Sequence, residues 1–284
     1  MWLGSAIRTV KSFLLLWLLL YGSMALAVAP LEVTFLDVGE GEAVYIRTPD
    51  GKSLLVDAAN PATAERIVRF LNSRGVDTLQ AVLITHPHPD HMGGIFQLLS
   101  TFRVKRVYDN GQPIDDMPPC DIYRWYKERV RALPHYRRLG AGNTLRYGNV
   151  TVEVLWPVEL KTGGWNQNSL VLKISYSGRV FLLMGDADEK VEAALIERES
   201  SLKADVLKAG HHGSEGTLSE RFLKEVLPSY VVISINRDNL RGYPSKKVLK
   251  RLDEMNVTTL ITYRDGNISF LVDENGGLRL VHNR

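Results

Sequence analysis

Three of the seven histidines in the chain lie close together beside a carboxylate. They are His86, His88 and His91, with Asp90 just before the last, and they follow the apolar run 81–84. Imidazole nitrogens and carboxylate oxygens are ligands for borderline divalent ions such as zinc and manganese. Side chains of this kind at the end of a predicted buried strand therefore indicate a metal site rather than a polar surface loop.

Metal-binding residue types also follow three other predicted strands: Asp57, Asp186, and the adjacent pair His211 and His212. Taken alone, Asp186 could be a turn or helix-capping aspartate. Its carboxylate could equally give one oxygen to each of two ions. Two ions bridged in this way would lower the pKa of a shared water, so that a metal-bound hydroxide could act as nucleophile at neutral pH.

The elements that must position these side chains follow a regular order. Clustered strands are followed by alternating helices and strands, and this order occurs twice. Two mixed sheets packed face to face with helices outside fit the order best, so we predict an α/β fold with four αββα layers. We expect one hydrolase domain over residues 30–284, with an insertion on the active-site side at about residues 109–144.

Composition restricts the class of protein without identifying a partner. A hydrophobic content of 45% is ordinary for a packed core and argues against disorder. The formal charge of +3 gives little support for nucleic-acid binding, because two of the positive charges lie near the N-terminus. With Cys120 as the single cysteine, the chain has no internal disulfide. No sequence feature indicates a protein partner.

Residues 1–29 have the pattern of an export signal. Arg8 and Lys11 form a basic flank, residues 13–20 form an apolar core, and residues 25–27 form a small-x-small cleavage site. The alternative is an uncleaved membrane tether, because the uncharged stretch is just long enough to span a bilayer. Both interpretations predict an exported protein that is periplasmic, extracellular or anchored facing outward.

In order and spacing, these motifs resemble the metallo-β-lactamase superfamily. More narrowly, five segments resemble the extracellular hydrolase domain of the DNA-internalisation competence proteins of the ComEC family: residues 36–43, 85–94, 166–172, 182–186 and 206–214. The resemblance runs from about Glu32 to Ile268. It implies an αββα fold, two divalent ions (zinc or manganese) and hydrolysis of a phosphoester, with DNA as the expected substrate.

By position, the resemblance divides the ligands between two ions bridged by Asp186. His86 and His88 would bind the first ion, and Asp90 and His91 would bind the second.

One of two adjacent histidines would complete the second site. Placement at the strand end favours His211, with His212 as the alternative, and both are candidate catalytic residues together with Asp90. Asp57 would accept hydrogen bonds that fix the ligand loop.

Many members of the superfamily add a third histidine to the first site. In the corresponding interval this chain has only His135, so we expect the segment with Asn166, Asn168 and Ser169 to occupy that position. A site with fewer nitrogen ligands is suited to manganese as much as to zinc. It also argues against hydrolysis of β-lactam antibiotics, which uses a fuller ligand set.

A basic stretch with aromatic residues, 124–131 together with 136–138, combines cations with stacking faces and could contact single-stranded nucleic acid. A solvated amphipathic helix is an equal alternative.

In the loop Gly242-Tyr243-Pro244, Pro244 lies where a predicted helix would begin, and the N-terminus of that helix would favour anions. Relatives commonly have Gly-His-Pro here, so Tyr243 replaces a histidine. We expect this loop, with Lys208 or a histidine, to steady the phosphate or the leaving group, and Ser214 to lie near the substrate.

The sequence therefore predicts an exported two-metal phosphodiesterase, a nuclease acting on DNA. One alternative is a surface phosphoesterase for a smaller diester, such as a phosphocholine-decorated polymer. Another is a non-catalytic DNA-binding accessory of an uptake system, although the intact ligand set argues against it.

Overall fold

A computed structural model of the chain describes residues 28–114, 121–162 and 164–282. The export signal or tether predicted over residues 1–29 lies almost wholly outside these ranges, and Cys120 lies outside them as well. Within these ranges, no helix combines the length and the hydropathy of a membrane-spanning segment.

Eight strands of the described residues form the first mixed sheet. In spatial order they are β17 (Leu278–His282), β16 (Ile268–Val272), β1 (Leu31–Phe35), β2 (Val44–Arg47), β3 (Ser53–Val56), β5 (Ala81–Leu83), β7 (Val107–Asp109) and β8 (Tyr136–Arg138). From β3 to β8 the neighbouring strands are parallel. A short parallel pair, β4 (Thr78–Leu79) and β6 (Arg103–Val104), lies apart from this sheet.

Seven strands of the same ranges form the second mixed sheet. In spatial order they are β15 (Thr258–Ile261), β14 (Tyr230–Ile233), β13 (Val206–Lys208), β12 (Arg179–Leu183), β11 (Val171–Tyr176), β10 (Val150–Trp156) and β9 (Thr144–Tyr147). The four strands from β12 to β15 are parallel, and the rest are antiparallel.

Alternating apolar side chains from both sheets fill the space between them. Phe181 of β12 and Phe270 of β16 are both fully buried, and their ring centroids lie 6.0 Å apart across the interface. Outward-facing residues of inner strands pack under helices, as Tyr45 and Leu55 do in the first sheet and Leu182 and Leu207 do in the second.

The helices form the two outer layers. On the first sheet lie α1 (Ala64–Ser73), α2 (Pro89–Met92), α3 (Ile95–Thr101) and α4 (Asp121–Trp125), which continues as a π-helical turn at Tyr126–Val130. On the second lie α5 (Glu189–Arg198), α6 (Glu220–Val226) and α7 (Lys246–Glu254), and α8 (Thr262–Asp265) follows β15. The predicted αββα sandwich is confirmed.

The segment predicted as an insertion packs against the first sheet where the structure describes it. Strand β8 extends that sheet, and Tyr126, the first residue of the π-helical turn, is fully buried. Asp109 accepts hydrogen bonds from the hydroxyls of Tyr126 (3.2 Å) and Tyr136 (2.6 Å) and from Nε of Arg131 (2.8 Å). Tyr126 is thus a core residue, and the guanidinium of Arg131 is held by Asp109. Neither side chain is placed for the nucleic-acid contact considered from the sequence.

Candidate metal centre

The predicted ligands meet at the carboxyl ends of four strands. Asp57 follows β3 and the 86–91 motif follows β5, which are parallel neighbours in the first sheet. Asp186 follows β12 and the 211–212 pair follows β13, which are parallel neighbours in the second. A hydrogen bond from Leu170 N to Thr85 O (2.9 Å) joins the two edges. One rim of the sandwich therefore collects ligands from both sheets.

A first cluster consists of His86, His88 and Asp186, whose ligand atoms all lie within 4.8 Å of one another. His86 Nε2 is 3.6 Å from Asp186 Oδ2 and 2.9 Å from His88 Nδ1. Burial lowers the pKa of His86 well below 6.5, so its ring is neutral and able to act as a ligand.

A second cluster consists of Asp90, His91 and His212, with ligand atoms equally close. Nε2 of His212 is 3.5 Å from Asp90 Oδ2 and 3.6 Å from Asp186 Oδ1, and Nε2 of His91 is 3.2 Å from the same Oδ1. Asp186 thus directs Oδ1 to the second cluster and Oδ2 to the first, as expected for a bridging carboxylate.

Three buried polar atoms at this point have no hydrogen-bond partner among the described residues: Nε2 of His91, Nε2 of His212 and Oδ1 of Asp186. Leaving such atoms unpaired is unfavourable. Because they converge on one another and are imidazole and carboxylate donors, they fit a divalent cation. With the first cluster beside them, the residues suit two ions that share Asp186.

The structure places His212, not His211, in the second cluster, which corrects the preference drawn from strand-end position. Both residues lie in a 3₁₀ turn with left-handed backbone, at φ 40° and 53°. His212 is buried and its Nδ1 donates to Ser234 O (2.8 Å), which leaves Nε2 facing the cluster. His211 is partly exposed, and its Nε2 lies 3.2 Å from Asn166 Nδ2 and 3.9 Å from Asp186 Oδ2.

Asp57 contacts both ends of the ligand loop, at Thr85 and at His91. Its Oδ1 accepts from Thr85 N (2.7 Å), and its Oδ2 accepts from Thr85 Oγ1 (2.8 Å) and lies 2.7 Å from His91 Nδ1. Burial raises the pKa of Asp57 to about 6, against the opposing effect of His91. The contact to Nδ1 leaves Nε2 of His91 directed at Asp186.

Charge within the site favours the ionised carboxylates. Burial opposes ionisation of Asp186, but His91 and His212 hold its pKa well below the ordinary value. Burial also opposes protonation of His91, yet the charges of Asp186 and Asp57 raise its pKa well above 6.5. These carboxylates therefore favour a positive charge at His91, where the two clusters meet.

The segment expected in place of a third histidine has divided roles. Asn168 is fully buried and turned away, because its amide pairs with the backbone N and O of Lys161 at 2.8 Å each. Ser169 Oγ accepts from Asp186 N (3.1 Å) and so positions the bridging residue. Only Asn166 has its amide beside the site, where its Oδ1 is buried without a partner among the described residues.

Lys208 cannot steady a substrate, contrary to the prediction, because it is fully buried. Its Nζ lies 2.6 Å from Oε2 of Glu42, which is also fully buried, and donates to Ala209 O (2.8 Å). The Glu42 carboxylate lies within 4.8 Å of ligand atoms of His91 and His212. The backbone N–H of Glu42 donates to Asp90 O (3.1 Å).

Sequence reasoning did not assign Glu42 to the site. The available signal was an acid between Gly41 and Ala43, immediately before β2, within the family-like segment 36–43.

The 242–244 loop lies beside the site but does not begin a helix. Helix α7 begins at Lys246, and Ser245 is its N-cap, accepting from Lys247 N. Pro244 therefore lies one residue before the cap. The sequence had predicted it at the start of the helix. The Tyr243 ring lies 5.4 Å from that of His211.

Gly242 and Ser214, two residues predicted to lie near the substrate, form parts of nearby turns. Gly242 has a left-handed backbone at φ 69°. Ser214 is buried, and its N–H donates to His211 O (2.9 Å), which closes the histidine turn.

Known proteins resemble this chain over most of its length. The family model described as Metallo-beta-lactamase superfamily matches residues 36–235. ComE operon protein 3 of Bacillus subtilis (strain 168) is 27% identical over 256 residues, covering 84% of this chain and 33% of that protein. Competence protein ComA of Neisseria gonorrhoeae is 30% identical over 275 residues, covering 96% and 37%. The chain spans about a third of the length of these two relatives.

A solved structure shows the same fold. The metallo-beta-lactamase fold protein YhfI from Bacillus subtilis has a TM-score of 0.54 at 15% identity, covering 89% of this chain and 100% of that one.

Proposed function

The chain belongs to the metallo-beta-lactamase superfamily, and we propose that it is a two-metal phosphodiesterase that cleaves DNA outside the cytoplasm. One observation carries the proposal: Asp186 directs one oxygen to each of two histidine clusters, and three converging buried atoms lack partners. The competence proteins among its relatives support DNA as the substrate. The basic and apolar pattern of residues 1–29 supports export.

Two divalent ions held by these clusters would lower the pKa of a water molecule and offset the charge of a phosphodiester. The chain prepares the site for them. Asp57 holds the ring of His91, and Ser169 and Glu42 fix the backbones of Asp186 and Asp90. The clusters offer both imidazole nitrogens and carboxylate oxygens as ligands, and an asparagine amide lies beside the first cluster. Manganese therefore suits the site as well as zinc does.

Proton transfer to the leaving oxygen is assigned to His211. It lies at the edge of the first cluster, partly exposed, and Tyr243 packs against its ring. Burial lowers the pKa of His211 below 6.5, so its ring is neutral at pH 7 and can accept a proton and pass it on.

The test is an assay of the purified protein with manganese or zinc on single-stranded DNA, duplex DNA and bis-p-nitrophenyl phosphate. The comparison variants are Asp186→Asn and, as a matched control, Asp253→Asn at an exposed position of α7. We expect DNA cleavage that is lost in Asp186→Asn and retained in Asp253→Asn. Turnover of the small diester alone would support a surface phosphoesterase instead. Metal-independent DNA binding without turnover would refute both enzymatic functions.

A further inference from the structure

The four histidines of the two clusters form a row of contacting rings. The ring centroids of His88 and His86 are 4.6 Å apart, those of His86 and His91 are 4.2 Å apart, and those of His91 and His212 are 5.4 Å apart. A separate cleft opens at each end of this row, and the two clefts share no lining residue. The predicted metal centre is therefore accessible from two sides.

The cleft at the His88 end has a volume of 590 Å³ and an aromatic wall. The ring of Trp165 lies 5.4 Å from that of His88, and Tyr123 contacts it edge-on at 6.2 Å. Beside it, Asn166 Oδ1 is buried and lacks a partner among the described residues. Among its described residues the lining has no lysine or arginine, and the carboxylate of Asp188 already accepts from Gln167 Nε2 (2.7 Å). A flat aromatic face with amide groups and no cation suits an unpaired base rather than a phosphate.

The cleft at the His212 end has a volume of 310 Å³ and a different lining. Asn236 contributes a second buried amide oxygen without a partner in the described ranges. Arg241 is exposed and is the only lysine or arginine among the described residues of this lining, which also holds the carboxylates of Glu40, Asp90 and Asp238. Asn239 fixes the loop, because its amide donates to Asn236 O (3.0 Å) and Tyr243 O (2.7 Å). One cation and one free amide suit a neighbouring nucleotide.

We propose that the two clefts hold single-stranded DNA on both sides of the scissile phosphodiester, so that the protein cuts within a strand and needs no free end. Trp165 stacks on a base at one side, and Asn236 and Arg241 engage the chain at the other. The substrate is single-stranded, because a base can stack on Trp165 only when it is out of the duplex. This inference rests on the proposed function.

The reaction balances as an ordinary hydrolysis. The oxygen of water forms a bond to phosphorus, the ester bond to one sugar oxygen breaks, and a proton of the water ends on that oxygen. Two shorter strands result, one with a terminal phosphate and one with a terminal hydroxyl.

The first test offers circular single-stranded DNA and the linear strand of the same sequence to the purified protein with manganese. We expect the circle to be opened at a rate within a few-fold of internal cleavage of the linear strand. Cleavage of the linear strand alone, with nucleotides released from its ends, would overturn this inference and leave the proposed nuclease intact. Cleavage of neither form would refute the proposed function itself.

The second test separates stacking from a structural role of Trp165. Base stacking on an aromatic ring contributes about 1–3 kcal/mol, so Trp165→Leu should raise the KM for an oligonucleotide roughly 5- to 140-fold. Trp165→Phe should restore most of the loss, and both variants should lose less on bis-p-nitrophenyl phosphate, which has no nucleobase, than on the oligonucleotide. Equal losses on both substrates would show that Trp165 acts only by packing against His88, and would overturn the assignment.

Trp125 supplies the matched comparison. It is 40% exposed and lies on α4, in the basic stretch first considered for DNA contact, where Arg129 packs over its ring at 5.7 Å. We expect Trp125→Leu to leave the oligonucleotide KM unchanged. A rise in KM with Trp125→Leu and none with Trp165→Leu would place the stacking surface on α4 and contradict the inference.

Discussion

Replacing Asp57 by asparagine should weaken metal binding without disturbing the fold. Asp57 contacts Thr85 N and Oγ1 and His91 Nδ1, all within 2.8 Å. Asparagine has one acceptor oxygen, so when it stays with Thr85 N the NH₂ group faces His91. That change favours the His91 tautomer with its proton on Nε2, the nitrogen directed at Asp186. The backbone at Asp57 is left-handed, at φ 61°, which asparagine tolerates well.

Loss of a contact that orients a ligand histidine typically lowers metal affinity roughly 10- to 100-fold, or about 1.4–2.7 kcal/mol. Calorimetric titration of the metal-free protein with manganese measures this affinity directly. The matched control is Asp205→Asn, because Asp205 accepts from Val180 N and Arg179 Nη1 at 2.8 Å outside both clusters. Unchanged affinity in Asp57→Asn, or an equal loss in the control, would refute the role assigned to Asp57.

Three further predictions follow from the same contacts. His212→Asn should reduce the bound ions from two to one, whereas His211→Asn should leave two, as counted by native mass spectrometry. The reverse result would show that His211, not His212, is the ligand. Because Asp186 and Asp57 raise the pKa of His91, the metal-free ring is protonated at pH 7, and a cation must displace that proton. Metal affinity should therefore rise with pH up to that raised pKa, with about one proton released per protein in calorimetry across two buffers; no release would contradict this. Lys208→Met leaves the buried carboxylate of Glu42 without its cation and should lower the free energy of unfolding by roughly 3–5 kcal/mol in urea denaturation. The double variant with Glu42→Gln should lose less, and an equal loss would show that the ion pair is not the cause.

Much of the fold could be predicted from the sequence, because each layer follows from a local pattern. Apolar alternation in β12 and β16 places Phe181 and Phe270 between the sheets, and helical spacing in α1 places Ile67 and Leu71 beneath it. The resemblance to the superfamily and to its competence proteins is confirmed at the level of the family. Strand-end histidines and aspartates could be grouped because parallel strands end at the same edge.

What the sequence could not predict depends on side-chain direction and on contacts between distant segments. A left-handed turn decides between His211 and His212, and nothing in the residue types signals that turn. Glu42 and Lys208 carry charges that normally lie at the surface, and only the tertiary fold buries them against each other. Trp165 could not be distinguished from a core aromatic until the cleft beside His88 was known.

We infer that the clusters joined by Asp186 form a two-metal hydrolytic centre. A direct test removes metal from the purified protein, returns manganese stepwise, and measures bound metal and cleavage of a labelled single strand at each step. We expect cleavage to appear as the second equivalent binds and to reach its maximum at two ions per chain. Full activity at one equivalent, or cleavage that persists after complete metal removal, would contradict it.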